Sequence, residues 1–197
     1  KINTKRQKMI NKIKSILKRK DPKNENWHVD FILNLASILK PSVYVELGLY
    51  KCELFNKMEK FCDKMYGVDM AEITKNYVKK SNKIQFMNTD TNAFFNYAND
   101  HKISVDFAFI DADHSFEGLK NDFSKLFPLM NDHGIIAIHD THPKNEKYTS
   151  SGYCGDGYKF IEEIGANTSD FEMMTIPVHP GITLVRKRKE QLKWLKK

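Results

Sequence analysis

Four apolar runs of this chain end in side chains suited to hold a ligand, and that recurrence limits the fold more than any other feature. Val43-Tyr-Val45 leads into Glu46 and Gly48, and Lys64–Val68 leads into Asp69. Asp106–Ile110 leads into Asp111, Asp113 and His114, and Gly134–Ile138 leads into His139 and Asp140. Short runs rich in β-branched and aromatic residues suit parallel strands buried on both faces. An open α/β sheet binds its ligands beyond the carboxyl ends of its strands. The four runs therefore predict one shared site along one edge of a sheet.

The intervening segments read as the helices such a sheet needs. Gly48 lets the backbone turn tightly and lets a ligand approach without meeting a Cβ, and residues 54–61 follow it as a helix. Asp69 stands 21 positions after Gly48, at the end of the second strand, where a carboxylate can accept the hydroxyls of a ribose. Phe31, Leu35, Ile38 and Leu39 give helical spacing over 27–39, and Pro41 ends that helix. Ile73, Tyr77 and Val78 suggest a short helix over 71–80, Ile84–Asn88 a third strand, and Phe94, Phe95 and Tyr97 another helix. Ser115 reads as the N-cap of a helix carrying Phe116, Leu119, Phe123, Leu126 and Phe127. Asn131–Gly134 reads as a turn, and 141–157, without periodicity, as a loop on the substrate side. Residues 158–164 form a helix, and 171–177 with 182–187 a closing antiparallel pair around Pro180-Gly181.

A chain of 197 residues with 41% hydrophobic content suits one packed domain. Three parts are expected: a basic amphipathic helix within 1–22, a ligand-binding domain over 23–187, and a basic tail over 188–197. The net charge of +7 belongs to the two ends, because residues 21–185 carry 16 basic and 24 acidic side chains, a net of −8. Nucleic-acid grip would place the basic stripe across the ligand face, so nucleic acid is not the expected partner. No apolar run approaches the ~20 residues that span a bilayer, and no signal-peptide core is present. Cys52, Cys62 and Cys154 lack metal-ligand spacing and read as free thiols of a reducing compartment, which makes a cytoplasmic location the expectation. The helix at 4–19, with Met9, Ile10, Ile13, Ile16 and Leu17 on one side, is compatible with a homodimer.

Taken together, these motifs resemble the class I S-adenosylmethionine-dependent methyltransferases, over about residues 25–187. Glu46-Leu-Gly-Leu-Tyr50 is similar to the first cofactor motif of the metal-assisted catechol and caffeoyl-CoA O-methyltransferases, and Phe109–His114 to their fourth-strand motif. Asp111-Ala-Asp-His-Ser-Phe-Glu-Gly followed by His139-Asp140-Thr141 looks closer still to a bacterial and viral branch that acts on sugars and small hydroxylated compounds. The resemblance implies a Rossmann-like, doubly wound α/β sheet of seven strands in the order 3-2-1-4-5-7-6, the last strand antiparallel. It implies S-adenosylmethionine as cofactor, with Glu46, Gly48, Leu49 and Tyr50 at its amino-acid end. Asp69 and Met70 would lie at the ribose, Asp90 and Thr91 near the adenine, and Asp111 between cofactor and acceptor. Cys52 stands where the family pattern has a second glycine, and Leu54 where it has a small hydroxyl residue.

Asp111 and Asp140 end neighbouring strands and could share a hard divalent cation, for which oxygen ligands favour Mg²⁺. Thr141 takes the place of the family's Asn ligand. Such a cation would hold and acidify a substrate hydroxyl. His114, three residues after Asp111 where catechol-type enzymes carry a lysine, is one candidate base, and His139 is its rival. The expected function is O-methylation of a small hydroxylated acceptor. Two readings compete with it. A nucleic-acid methyltransferase would carry an Asn/Asp-Pro-Pro-aromatic motif after the fourth strand, and Asp111–His114 is not that motif. A binding module that has lost catalysis would not need Asp111, His114 and Asp140. A hydroxylase reading lacks a His-plus-carboxylate pair at a recognisable spacing.

Overall fold

The computed structural model describes residues 26–166 and 170–188. The expected helix at 4–19 and most of the basic tail lie outside the described residues. Seven strands, β1 (Val43–Leu47), β2 (Lys64–Val68), β3 (Ile84–Met87), β4 (Val105–Ile110), β5 (Met130–His139), β6 (Phe171–Ile176) and β7 (Ile182–Lys187), form one sheet in the order β3-β2-β1-β4-β5-β7-β6. β7 pairs antiparallel with both β5 and β6, and the remaining pairs are parallel. This is the doubly wound order that the resemblance implies.

Alternate residues of each central strand feed two cores. Val45, Leu47, Ala108, Ile110, Ile136 and Ile138 pack on one face against the helices Thr91–Asp100 (α3), Phe116–Leu129 (α4) and Tyr158–Gly165 (α5). Tyr44, Phe107, Phe109 and Ala137 pack on the other, against Trp27–Leu39 (α1) and Glu53–Met58 (α2). Phe55, Phe94 and Phe107 are fully buried, each worth about 1.5–3 kcal/mol relative to an exposed ring. Since β1 and β4 are covered on both sides, only their carboxyl ends can meet a ligand.

Three local expectations are corrected. Residues 71–80 form only a 3₁₀ segment, Glu72–Asn76, with Ile73 57% exposed and Thr74 buried. So short a stretch cannot hold an α-helix without an apolar face to bury. In α1 Phe31, Leu35 and Leu39 pack half-buried against the core as expected, but the fully buried face is Val29, Ile32 and Ala36, and Ile38 is 78% exposed. Asn131–Gly134 is not a separate turn but an irregularity inside β5, where the register against β4 shifts between Val105 and Phe107. The Asn131 amide bonds Asp106 there, and Asp106 Oδ2 accepts from the Val43 N–H at 2.8 Å.

Candidate active site

At the carboxyl ends of β1, β2 and β4 lies an open cleft of about 1490 Å³. Its walls include Glu46, Gly48, Leu49, Tyr50, Asp69 and Met70 on one side and Asp90, Thr91, Asp111 and His114 on the other. The sequence-predicted cofactor residues are thus brought together. Gly48 sits at φ 83°, and an added Cβ would run into the carbonyl of Asp111. Only glycine permits β1 and β4 to approach so closely at their ends.

Asp69 fixes the loop after Gly48. Its Oδ2 accepts the backbone N–H groups of Leu49 and Tyr50, both at 2.9 Å, and its Oδ1 that of Ala71 at 2.7 Å. A carboxylate has about four lone-pair positions, so capacity remains for a ribose hydroxyl. Leu49 turns its side chain into the core, while Tyr50 and Met70 are exposed at the cleft wall. Cys52, the departure from the glycine pattern, adopts φ 56° at the N-cap of α2. That left-handed conformation is the one glycine adopts most readily, which fits the glycine of the resembled pattern at this position. Here the thiol is buried and points at the Thr74 carbonyl, 3.9 Å away.

Glu46 lies on the cleft floor with its carboxyl buried. Burial drives its pKa up to about 8, opposed by the Tyr44 hydroxyl, which donates to Oε2 at 2.6 Å, and assisted by the Asp111 charge. Asp90 accepts the Ala93 N–H at 2.8 Å as the N-cap of α3, and Thr91 donates its hydroxyl to the buried Asp122 at 2.6 Å. Both residues therefore have structural partners as well as a place on the cleft wall.

The ends of β4 and β5 build a denser cluster. His139 Nδ1 lies 2.8 Å from Asp111 Oδ1 and 3.6 Å from Asp140 Oδ1. His114 Nδ1 lies 3.1 Å from Asp140 Oδ2 and 2.7 Å from the Tyr153 carbonyl, and its Nε2 is 3.4 Å from Asp111 Oδ1. A carbonyl can only accept, so Nδ1 of His114 carries a hydrogen and Nε2 is the atom that can exchange a proton. Burial alone would raise the Asp111 pKa, but the His139 and His114 imidazoles outweigh it and hold that carboxyl well below its usual range. The hydrogen bond to Asp111, with Asp140 behind it, lifts His114 to about 9 against the cost of burial. His139 is also raised: burial pulls its pKa down, and the Asp111 charge overcomes that.

Asp111 and His114 reach both the cleft and a small cavity of about 10 Å³ behind it, which His139, Asp140 and Cys154 also line. Asp111, His139 and Asp140 offer ligand atoms within 4.8 Å of one another. The Thr141 hydroxyl and His139 Nε2 are buried without a hydrogen-bond partner. These residues fit a divalent cation. His139, expected as a rival base, also lies within reach of the two carboxylates, so the fold brings together a His-plus-carboxylate group that spacing along the sequence did not show.

Several cleft residues escaped the sequence reading. His28 and Val29 of α1, together with Asn26, line the cleft, and the His28 ring lies 4.2 Å from that of His139. The 150–157 loop is tied to the β4 end: the Gly157 N–H donates to the His114 carbonyl at 2.8 Å, and the Phe116 N–H to Asp156 Oδ1 at 2.8 Å. A histidine beside Val29 near the start of α1 was the available signal for the first group. The pair Gly155 and Gly157 was the signal for the second, since an added Cβ on either would meet the His114 carbonyl.

Residues 45–141 match the family model of a methyltransferase domain. No curated protein matches the chain. Among solved structures, the Bacillus cereus O-methyltransferase in complex with S-adenosylhomocysteine is similar at TM-score 0.67 and 13% identity, covering 92% of this chain and 90% of that one. TomG of Streptomyces achromogenes, an O-methyltransferase solved with S-adenosylmethionine, gives TM-score 0.68 at 12% identity, over 82% and 80% of the two chains. MycE of mycinamycin biosynthesis, solved with Mg, S-adenosylhomocysteine and mycinamycin VI, gives 0.63 at 15%, over 85% of this chain and 51% of its own. The methyltransferase domain over residues 45–141, carried on a seven-stranded sheet that shares the fold of these enzymes, identifies this chain as a class I S-adenosylmethionine-dependent methyltransferase.

Proposed function

We propose that the protein transfers a methyl group from S-adenosylmethionine to a hydroxyl of a small acceptor, a sugar or catechol-like compound, with a divalent cation at Asp111 and Asp140. The observation that carries this reading is the convergence of Gly48, Asp69, Asp111 and His114 on one cleft. When bound, the cofactor supplies an electrophilic methyl on a sulfonium. Glu46 would face its ammonium, Gly48 gives it room, Asp69 would accept from the ribose, and the walls near Asp90 and Thr91 would flank the adenine. The cation would hold the acceptor oxygen and lower its pKa. His114 Nε2 would receive the acceptor's proton while the imidazole is neutral, a form that a cation on Asp111 and Asp140 favours by cancelling the carboxylate charge that otherwise keeps this ring protonated. It is the better candidate than His139, which is nearly buried and does not line the cleft. The remaining acceleration comes from alignment of acceptor and cofactor within the walls. MycE, solved with Mg and mycinamycin VI, supports both the cation and a small-molecule acceptor.

The test is calorimetric titration with S-adenosylhomocysteine, then methyl uptake from labelled S-adenosylmethionine by a panel of catechols and sugars. His114→Ala is expected to keep cofactor binding and lose turnover at least tenfold, in line with the usual weight of a general base. Folded protein that fails to bind S-adenosylhomocysteine would sink the reading.

A further inference from the structure

We propose that the cation held at Asp111 and Asp140 is a first-row transition ion of the Mn²⁺ or Fe²⁺ class, bound through the His139 Nδ1 as well as the two carboxylates, in preference to Mg²⁺. The inference rests on the cation of the proposed function and specifies which ion this chain's donors select.

The geometry places the imidazole nitrogen among the oxygens. His139 Nδ1 is 2.8 Å from Asp111 Oδ1 and 3.6 Å from Asp140 Oδ1. An ion at about 2.1 Å from each donor keeps neighbouring ligands about 3 Å apart, so these spacings suit ligands of one ion. The cavity beside them, about 10 Å³, is close to the size of one small occupant. His139, which lines this cavity, leaves its Nε2 buried without a partner, and Thr141, next to Asp140 in sequence, leaves its hydroxyl so as well. The His139 side chain is 10% exposed, so it is fixed rather than free to swing away.

Donor chemistry then chooses the ion. Mg²⁺ demands near-ideal octahedral oxygen ligation and gives up water reluctantly. Imidazole nitrogen suits later, softer ions, and affinity rises along the first row. One nitrogen with two carboxylates joins the imidazole preference of Fe²⁺ to the carboxylate preference of Mn²⁺.

The full chain, stripped with chelator, is titrated separately with Mn²⁺ and Mg²⁺, with free Mn²⁺ followed by electron paramagnetic resonance. Electron spin-echo modulation of the Mn²⁺ complex is expected to show imidazole nitrogen coupling that disappears in His139→Asn. That variant puts an amide near the same place, so the Mn²⁺ to Mg²⁺ affinity ratio is expected to fall at least tenfold. S-adenosylhomocysteine binding by the variant checks that it is folded. Mn²⁺ bound without nitrogen coupling, coupling that persists in His139→Asn, or an unchanged ratio would overturn the inference and leave an oxygen-ligated cation in place. No Mn²⁺ binding by protein that still binds S-adenosylhomocysteine would overturn it together with the cation of the proposed function.

Discussion

The Tyr44 hydroxyl donates to the Glu46 carboxyl across 2.6 Å, on the same face of β1 and beneath the cleft floor. Tyr44→Phe removes the one hydrogen-bond donor that structure gives this carboxyl. We expect a loss of about 1–3 kcal/mol, the cost of leaving a buried polar group unsatisfied, measured by urea denaturation.

The same pair sets a pH dependence. The Glu46 pKa is raised to about 8 in the folded chain, whereas an unfolded glutamate titrates near ~4.3. Between those values the folded state binds more protons than the unfolded one, so the Glu46 contribution to stability declines as pH rises from ~4.3 to about 8. Glu46→Gln should flatten that slope. If Glu46 meets the cofactor ammonium, titration with S-adenosylhomocysteine at pH 7 releases protons from wild type and not from Glu46→Gln. Calorimetry in buffers of different ionisation enthalpy measures that release.

Gly48→Ala is expected to be among the most damaging single-methyl additions. Its φ of 83° and the Asp111 carbonyl against the added Cβ both oppose it. A left-handed alanine alone costs about 1–2 kcal/mol, and relieving the clash must part β1 from β4. Both thermal stability and S-adenosylhomocysteine affinity should fall. An alanine variant that binds normally would refute the close-approach role.

Asp69→Asn and Asp69→Ala should differ. Asparagine keeps one oxygen for the Leu49 and Tyr50 amides, whereas alanine releases the loop. S-adenosylhomocysteine binding should weaken in both and fall further in alanine, with hydrogen exchange at Leu49 and Tyr50 accelerating only there.

Asp156→Ala tests the loop that holds His114. Asp156 caps the Phe116 amide at 2.8 Å, one strut of the 150–157 tie. Turnover should drop several-fold while S-adenosylhomocysteine affinity stays within twofold. Equal losses in both would show that the loop serves the cofactor rather than the base.

The sheet was legible in the sequence because its central strands are buried on both faces and therefore written as apolar runs, as in Phe107–Ile110 of β4. Glu46, Gly48, Asp69 and Asp111 were legible because the strand end fixes their place. What hid were features decided by distant packing. Ile38 fits a helical stripe, yet the face of α1 is chosen by the sheet it meets, which takes Val29, Ile32 and Ala36. The approach of the His139 ring to Asp111, across 28 residues, is a contact that its neighbours in sequence cannot show. His28 and Asp156 reach the cleft from opposite ends of the chain, and no local pattern joins them.

The direction of β7 has a practical consequence. The described chain starts at Asn26 on the cleft wall, whereas β7, running against its neighbours, delivers Lys187 and Arg188 to the far edge of the sheet, beside Phe171 and Asp170. A fluorescent label on the side chain at position 188 therefore sits away from the cleft and leaves acceptor access untouched, whereas one on the side chain at position 26 stands on the cleft wall, where it either obstructs acceptors or reports their arrival.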